Sequence, residues 1–96
     1  MIVGACRIEL RLPENQSLKG KRQVVKSLIA RVQRQFGVAI AEVEAQDRWQ
    51  LAVLGVSCVS SSGQHARSVL DNVVAYIEGS RLDAEVREVE VELLSV

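Results

Sequence analysis

The spacing of apolar positions switches between two periods along the chain. From Ile2 to Leu12 it is two: Ile2, Gly4, Cys6, Ile8, Leu10 and Leu12 fall on one side, and Val3, Ala5, Arg7, Glu9 and Arg11 on the other. That alternation predicts a strand with one buried face. Pro13, Glu14, Asn15 and Gln16 end it. Leu18, Val25, Leu28, Ile29, Val32 and Phe36 then recur at helical spacing, which predicts an amphipathic helix between Ser17 and Gly37. Ser17 supplies an N-cap hydroxyl, and Gly37 can take the left-handed turn that ends a helix.

Val38 to Ala45 predicts a second, less regular strand. Val38 and Ile40 belong to one face, and Ala39, Ala41 and Val43 to the other, so a twist or bulge is expected near the strand's start. Gln46-Asp47-Arg48 is a hairpin-length link to a third strand, Trp49 to Ser60. Its rows are Ala52, Leu54, Val56 and Cys58 on one side and Trp49, Leu51, Val53 and Val59 on the other. Ser61-Ser62-Gly63 opens a second helix at about Gln64 to Glu78, with Ala66, Val69, Leu70, Val73, Val74 and Ile77 on its apolar face and Gly79 as its stop. A loop through Leu82 and Asp83 leads to a fourth strand, Ala84 to Leu94, in which Val89, Val91 and Leu93 alternate with Glu88, Glu90 and Glu92.

The order βαββαβ predicts a single α+β domain over residues 1–96, a ferredoxin-like sandwich. Right-handed crossovers give a four-stranded antiparallel sheet of order 4-1-3-2, with both helices on one face. The other face is then open. On this parity it carries Val3, Ala5, Trp49, Leu51 and Val53. They read either as scattered surface hydrophobes or as a homo-oligomer interface, most simply a two-fold dimer.

Charge changes that picture. Twelve basic and twelve acidic residues leave no net charge, which excludes a bulk polyanion binder, but the distribution is uneven. Up to Arg34 eight basic residues face only Glu9 and Glu14; from Glu78 onward six acids face only Arg81 and Arg87. The first helix carries Lys19, Lys21, Arg22, Lys26, Arg31 and Arg34 with no acid between them. The i,i+4 pairs that support a surface helix are therefore missing. Lys19, Lys21 and Arg22 oppose the helix dipole at ~0.3–1 kcal/mol each, and Gly20 costs up to ~1 kcal/mol against Ala. These costs point to phosphate contact, set against an ordinary solvated face. One Trp, one Tyr and one Phe provide no platform for sequence-specific reading of single strands.

Little else carries chemistry. His65, the sole histidine, falls in the first turn of a surface helix. Cys6 and Cys58 share inward parity on neighbouring strands but form no C-x-x-C, so reduced, buried thiols in a cytoplasmic protein are expected. No metal-ligand spacing, cofactor motif or phosphate loop is present, and Arg11 with Asn15 lacks the loop an acylphosphatase-like site needs. No apolar run approaches the ~20 residues that span a bilayer. Glu88, Glu90 and Glu92 read as charges that discourage edge pairing. A non-enzymatic protein without cofactor or metal is expected.

Met1-Ile-Val-Gly, S-L-K-x-K-R at Ser17 to Arg22, A-E-V at Ala41 to Val43 and Q-D-x-W-Q-x-A-x-L-G at Gln46 to Gly55 resemble the YlxP-like bacterial proteins over nearly the whole chain. The resemblance implies a ferredoxin-like fold and a small cytosolic protein of unknown function. It also implies a gene placed beside translation and ribosome-maturation genes, hence an RNA or ribosome partner. Gly20 stands where those proteins often have Glu, and Leu51 where a basic residue is common. The first departure favours phosphate contact, the second self-association of the sheet face. The leading expectation is an accessory protein contacting RNA or a ribonucleoprotein through the six basic residues. The alternative is a homo-oligomeric interaction or ligand-sensing module using the open face.

Overall fold

A computed structural model describes residues 1–80 and 84–96; the loop expected through Leu82 and Asp83 lies outside them. The alternating stretches form β1 (Ile2–Arg11), β2 (Ala39–Glu44), β3 (Leu51–Ser60) and β4 (Glu85–Ser95). The two stretches of helical period form α1 (Leu18–Phe36) and α2 (Gly63–Gly79). The strands make one antiparallel sheet of order β2-β3-β1-β4, the expected ferredoxin-like arrangement.

Strand parity decides what is buried. Cys6, Ile8, Leu10 and Leu12 meet Ala52, Leu54 and Val56 on one face, together with Val38 and Ile40. Val25, Leu28 and Val32 of α1 and Leu70, Val73 and Ile77 of α2 close over them. Both helices thus lie on the same side; α1 packs on β2 and on α2, while α2 spans β1, β3 and β4. Ser17 Oγ accepts the Gly20 amide at the start of α1, and Gly37 ends it at φ 63°. Ser62 Oγ accepts the His65 amide at the start of α2.

Three local features depart from the sequence reading. The bulge in β2 lies at its end, between Glu42 and Glu44, where the backbone enters the hairpin through Ala45 at φ 60°. Before the bulge Glu42 pairs with Leu54 of the helix-covered face, and after it Glu44 pairs with Val53 of the open face. A second bulge, opposite Glu9 and Leu10, leaves Arg87 as an extra residue between Val86 and Glu88. Trp49 and Gln50 precede β3 rather than belong to it, because Gln50 ties loops together. Its carbonyl accepts the Leu12 amide at 2.9 Å, and its side-chain amide donates to the carbonyls of Pro13 and Asn15, each at 3.2 Å.

Candidate nucleic-acid interface

α1 presents its basic residues as a coat with one exception. At about 100° per residue, Lys19, Arg22, Lys26, Arg31 and Arg34 spread over roughly half the helix circumference, opposite the stripe of Val25, Leu28 and Val32. All five are exposed. Among the described residues none has a carboxylate oxygen within 4.0 Å. Near the end of the helix, Arg31, Arg34 and Gln35 border a depression of about 240 Å³ with Tyr76 of α2. Tyr76 itself stands edge-on to Phe36, ring centroids 5.6 Å apart.

The exception is Lys21, which is fully buried and cannot touch an external phosphate. Its Nζ lies 2.9 Å from Glu42 Oε2 and donates to the carbonyls of Ala45 at 2.6 Å and Leu51 at 3.2 Å. Two of the three ammonium N–H groups thus have carbonyl acceptors, and the Glu42 carboxylate lies close enough to balance the charge. Glu42 Oε2 is buried and accepts no hydrogen bond, so its tie to Lys21 is a close ion pair. The pair follows from local geometry. Lys21 falls between Leu18 and Val25 in the apolar stripe, and the late bulge keeps Glu42 on the covered face beside Ile40.

Gly20 also has a steric explanation. A Cβ there would lie 2.5 Å from Asn15 Oδ1 and 3.1 Å from Ser17 Oγ. Asn15 cannot retreat freely, since its Nδ2 donates to the carbonyls of Ser17 at 2.6 Å and Trp49 at 2.5 Å. The absence of Glu at this position is therefore met by packing and lends no support to phosphate contact. Gly20→Ala gains up to ~1 kcal/mol of helix propensity but breaks two bonds worth ~0.5–1.5 kcal/mol each. We expect a net loss of about 1 kcal/mol by urea denaturation, and a gain of about 1 kcal/mol when Asn15 is already Ala. The same sign in both backgrounds would remove the contact as the reason for glycine.

The open face is not the contiguous apolar patch its sequence suggests. Val53 is 1% exposed, set between Glu9 and Glu44 in register, so it is unavailable as an interface residue. Val3, Ala5 and Leu51 are half-buried, and only Trp49 is open, at 56%. The middle of the face is ionic. Arg7 donates from Nε and Nη2 to Glu44 Oε2 and lies 4.0 Å from Glu90, while Arg87 lies 3.9 Å from Glu9. The hydrogen bond to Glu44 holds the Arg7 guanidinium above its ordinary pKa. The β2 bulge is the cause, because it turns Glu44 toward Arg7. One end of the face stays apolar: Val59 and Leu94 flank Val3 across the two neighbouring strands.

At the opposite end lies a cluster the sequence reading missed. Arg11, Arg48 and Arg87 line a depression of about 420 Å³ with Trp49, Gln50 and Leu51. No local spacing announces it, because the residues come from the end of β1, the hairpin and the β4 bulge.

The remaining candidates stay apart. Cys58 pairs with Gly4 and Cys6 with Val56, and both thiols are free. Burial pushes the Cys6 thiol up, with Asp71 adding to the shift and Arg67 opposing it. His65 is exposed in the first turn of α2. Asn15 is occupied as a loop tie rather than facing Arg11 in an anion cradle. Among the described residues no three His, Cys, Asp or Glu side chains gather as metal ligands, and no helix is long and apolar enough to cross a membrane.

Residues 3–91 match the model of a family described as a protein of unknown function (DUF503). The chain is 38% identical over 77 residues to the uncharacterized protein YlxP of Bacillus subtilis (strain 168), covering 80% of this chain and 84% of that protein. Among solved structures it is similar to the de novo designed protein Foldit4, at 14% identity and a TM-score of 0.53, with 99% of this chain and 97% of that one aligned. That likeness concerns the fold alone.

Proposed function

The chain belongs to the family described as a protein of unknown function (DUF503), and on that footing we propose a non-enzymatic accessory protein that contacts RNA or a ribonucleoprotein through α1. One observation carries the reading: Lys19, Arg22, Lys26, Arg31 and Arg34 all face outward, with no carboxylate within 4.0 Å among the described residues. Charges so placed are free to replace the counterions of a phosphate backbone. The gene neighbourhood implied by the resemblance favours a cytoplasmic role in translation or ribosome maturation. Lys21 has no part in it.

The test is a titration of RNA binding against salt. Five contacts predict that log K falls against log salt with a slope of about −3.5 on single strands. A slope near zero, or no binding at low salt, would refute the reading.

The apolar end of the open face supports a second reading, self-association. Val59 is 67% exposed and Leu94 44%, on either side of Val3. In sedimentation, Val59→Glu with Leu94→Glu is expected to shift a dimer to monomer, whereas Leu51→Lys at the other end leaves the mass unchanged. A wild-type monomer at high concentration would end this reading.

A further inference from the structure

We infer that the depression bordered by Arg11, Arg48, Arg87 and Trp49 binds a single nucleotide unit, its phosphate on the guanidiniums and its base on the indole. This inference does not depend on the α1 reading, since the depression lies on the sheet's other face.

Three arginines line it, and among the described residues no carboxylate does. Among the described residues Arg11 and Arg48 have no carboxylate within 4.0 Å, and the nearest to Arg87 is Glu9 Oε2 at 3.9 Å. Like charges gathered around one space repel one another, and an anion relieves that repulsion. The planar fork of Arg suits phosphate oxygens, because two N–H groups can reach two of them at once. The volume, about 420 Å³, is in the range of small-ligand sites.

Trp49 distinguishes a nucleotide from a bare anion. A large aromatic left 56% exposed beside three cations offers a face for a base, and stacking on it is worth about tenfold or more in affinity. The platform is held in place. Asn15 Nδ2 donates to the Trp49 carbonyl, and Gln50 is fixed from both its backbone and its side chain. The β4 bulge brings Arg87 to the cluster as an extra residue. A single indole accommodates one base, consistent with a site for one unit rather than a reader of sequence.

Trp49 is the chain's sole tryptophan, so its fluorescence reports on the site directly. The intact chain would be titrated with AMP, adenosine, inorganic phosphate and a five-nucleotide oligonucleotide. AMP is expected to quench Trp49, with adenosine and phosphate at least tenfold weaker. Arg11→Gln and Arg48→Gln should each weaken AMP about tenfold with the melting temperature unchanged. Trp49→Leu, followed by calorimetry, should retain phosphate but lose the preference for AMP. Lys26→Gln should leave AMP binding as it was, so failure here and failure of the α1 reading are separable. An oligonucleotide tighter than AMP makes the source an RNA chain; the reverse makes it a free nucleotide. No quenching by either, equal affinity for AMP and phosphate, or indifference to both Arg substitutions would overturn the site.

Discussion

Lys21→Met is expected to lower the unfolding free energy by about 3–5 kcal/mol, because it leaves a buried charge uncompensated. The ammonium touches Glu42 Oε2 at 2.9 Å, the Ala45 carbonyl at 2.6 Å and the Leu51 carbonyl at 3.2 Å. Met replaces the stem of the side chain but none of these contacts. Glu42 keeps only 17% of its side chain in water, and its buried oxygen accepts no hydrogen bond, so the lysine's charge is what balances it. Ala45, held in the left-handed region that costs an L-residue roughly 1–2 kcal/mol, also loses the donor that fixes its carbonyl. Urea denaturation measures the loss. Lys21→Met combined with Glu42→Leu should recover most of it, since removing both charges also removes the desolvation they share. A single variant that loses less than ~1 kcal/mol would show that Glu42 finds water and that the pair is not sealed. RNA affinity of the folded variant should be unchanged, which separates Lys21 from the surrounding coat.

The second expectation concerns that coat. Lys19→Gln, Arg22→Gln and Lys26→Gln together are expected to weaken single-stranded RNA binding about fifty-fold at physiological salt. Each phosphate contact supplies a slope of about −0.7, and three of them extrapolated from 1 M salt give that factor. The slope itself should fall from about −3.5 to about −1.4, leaving Arg31 and Arg34. Stability should not fall, because Lys19 and Arg22 oppose the helix dipole in the first turns, where no acid offsets them. A filter-binding series at several salt concentrations reads affinity and slope together. An unchanged slope with reduced affinity would mean that these residues act by something other than counterion release.

The periodic elements were legible because their causes are local. Alternation over Ile2 to Leu12 requires a strand, and a Ser17-to-Gly37 frame around an i,i+3/i+4 stripe requires a helix. The order of those elements then leaves few compact topologies, and the sheet follows. The six-residue basic set was legible only in part. Lys21 occupies a stripe position, and that placement was the available signal, but a lysine reads as solvated until its partner is seen. The partner, Glu42, could not be assigned because a bulge shifts parity by one residue, and its position in β2 depends on the hairpin.

By itself the chain determined its strand and helix order, the caps at Ser17, Gly37 and Ser62 (α2 runs through the expected stop Gly79 and ends at Ser80), its buried rows and the outward placement of five cations. Each rests on neighbours within a few residues. Only the tertiary structure decided that Lys21 is sealed against Glu42, that Arg7 and Glu44 divide the open face, and that Arg11, Arg48 and Arg87 meet beside Trp49. Those outcomes hang on two bulges and on pairing between distant strands, where one extra residue reverses which side a charge faces.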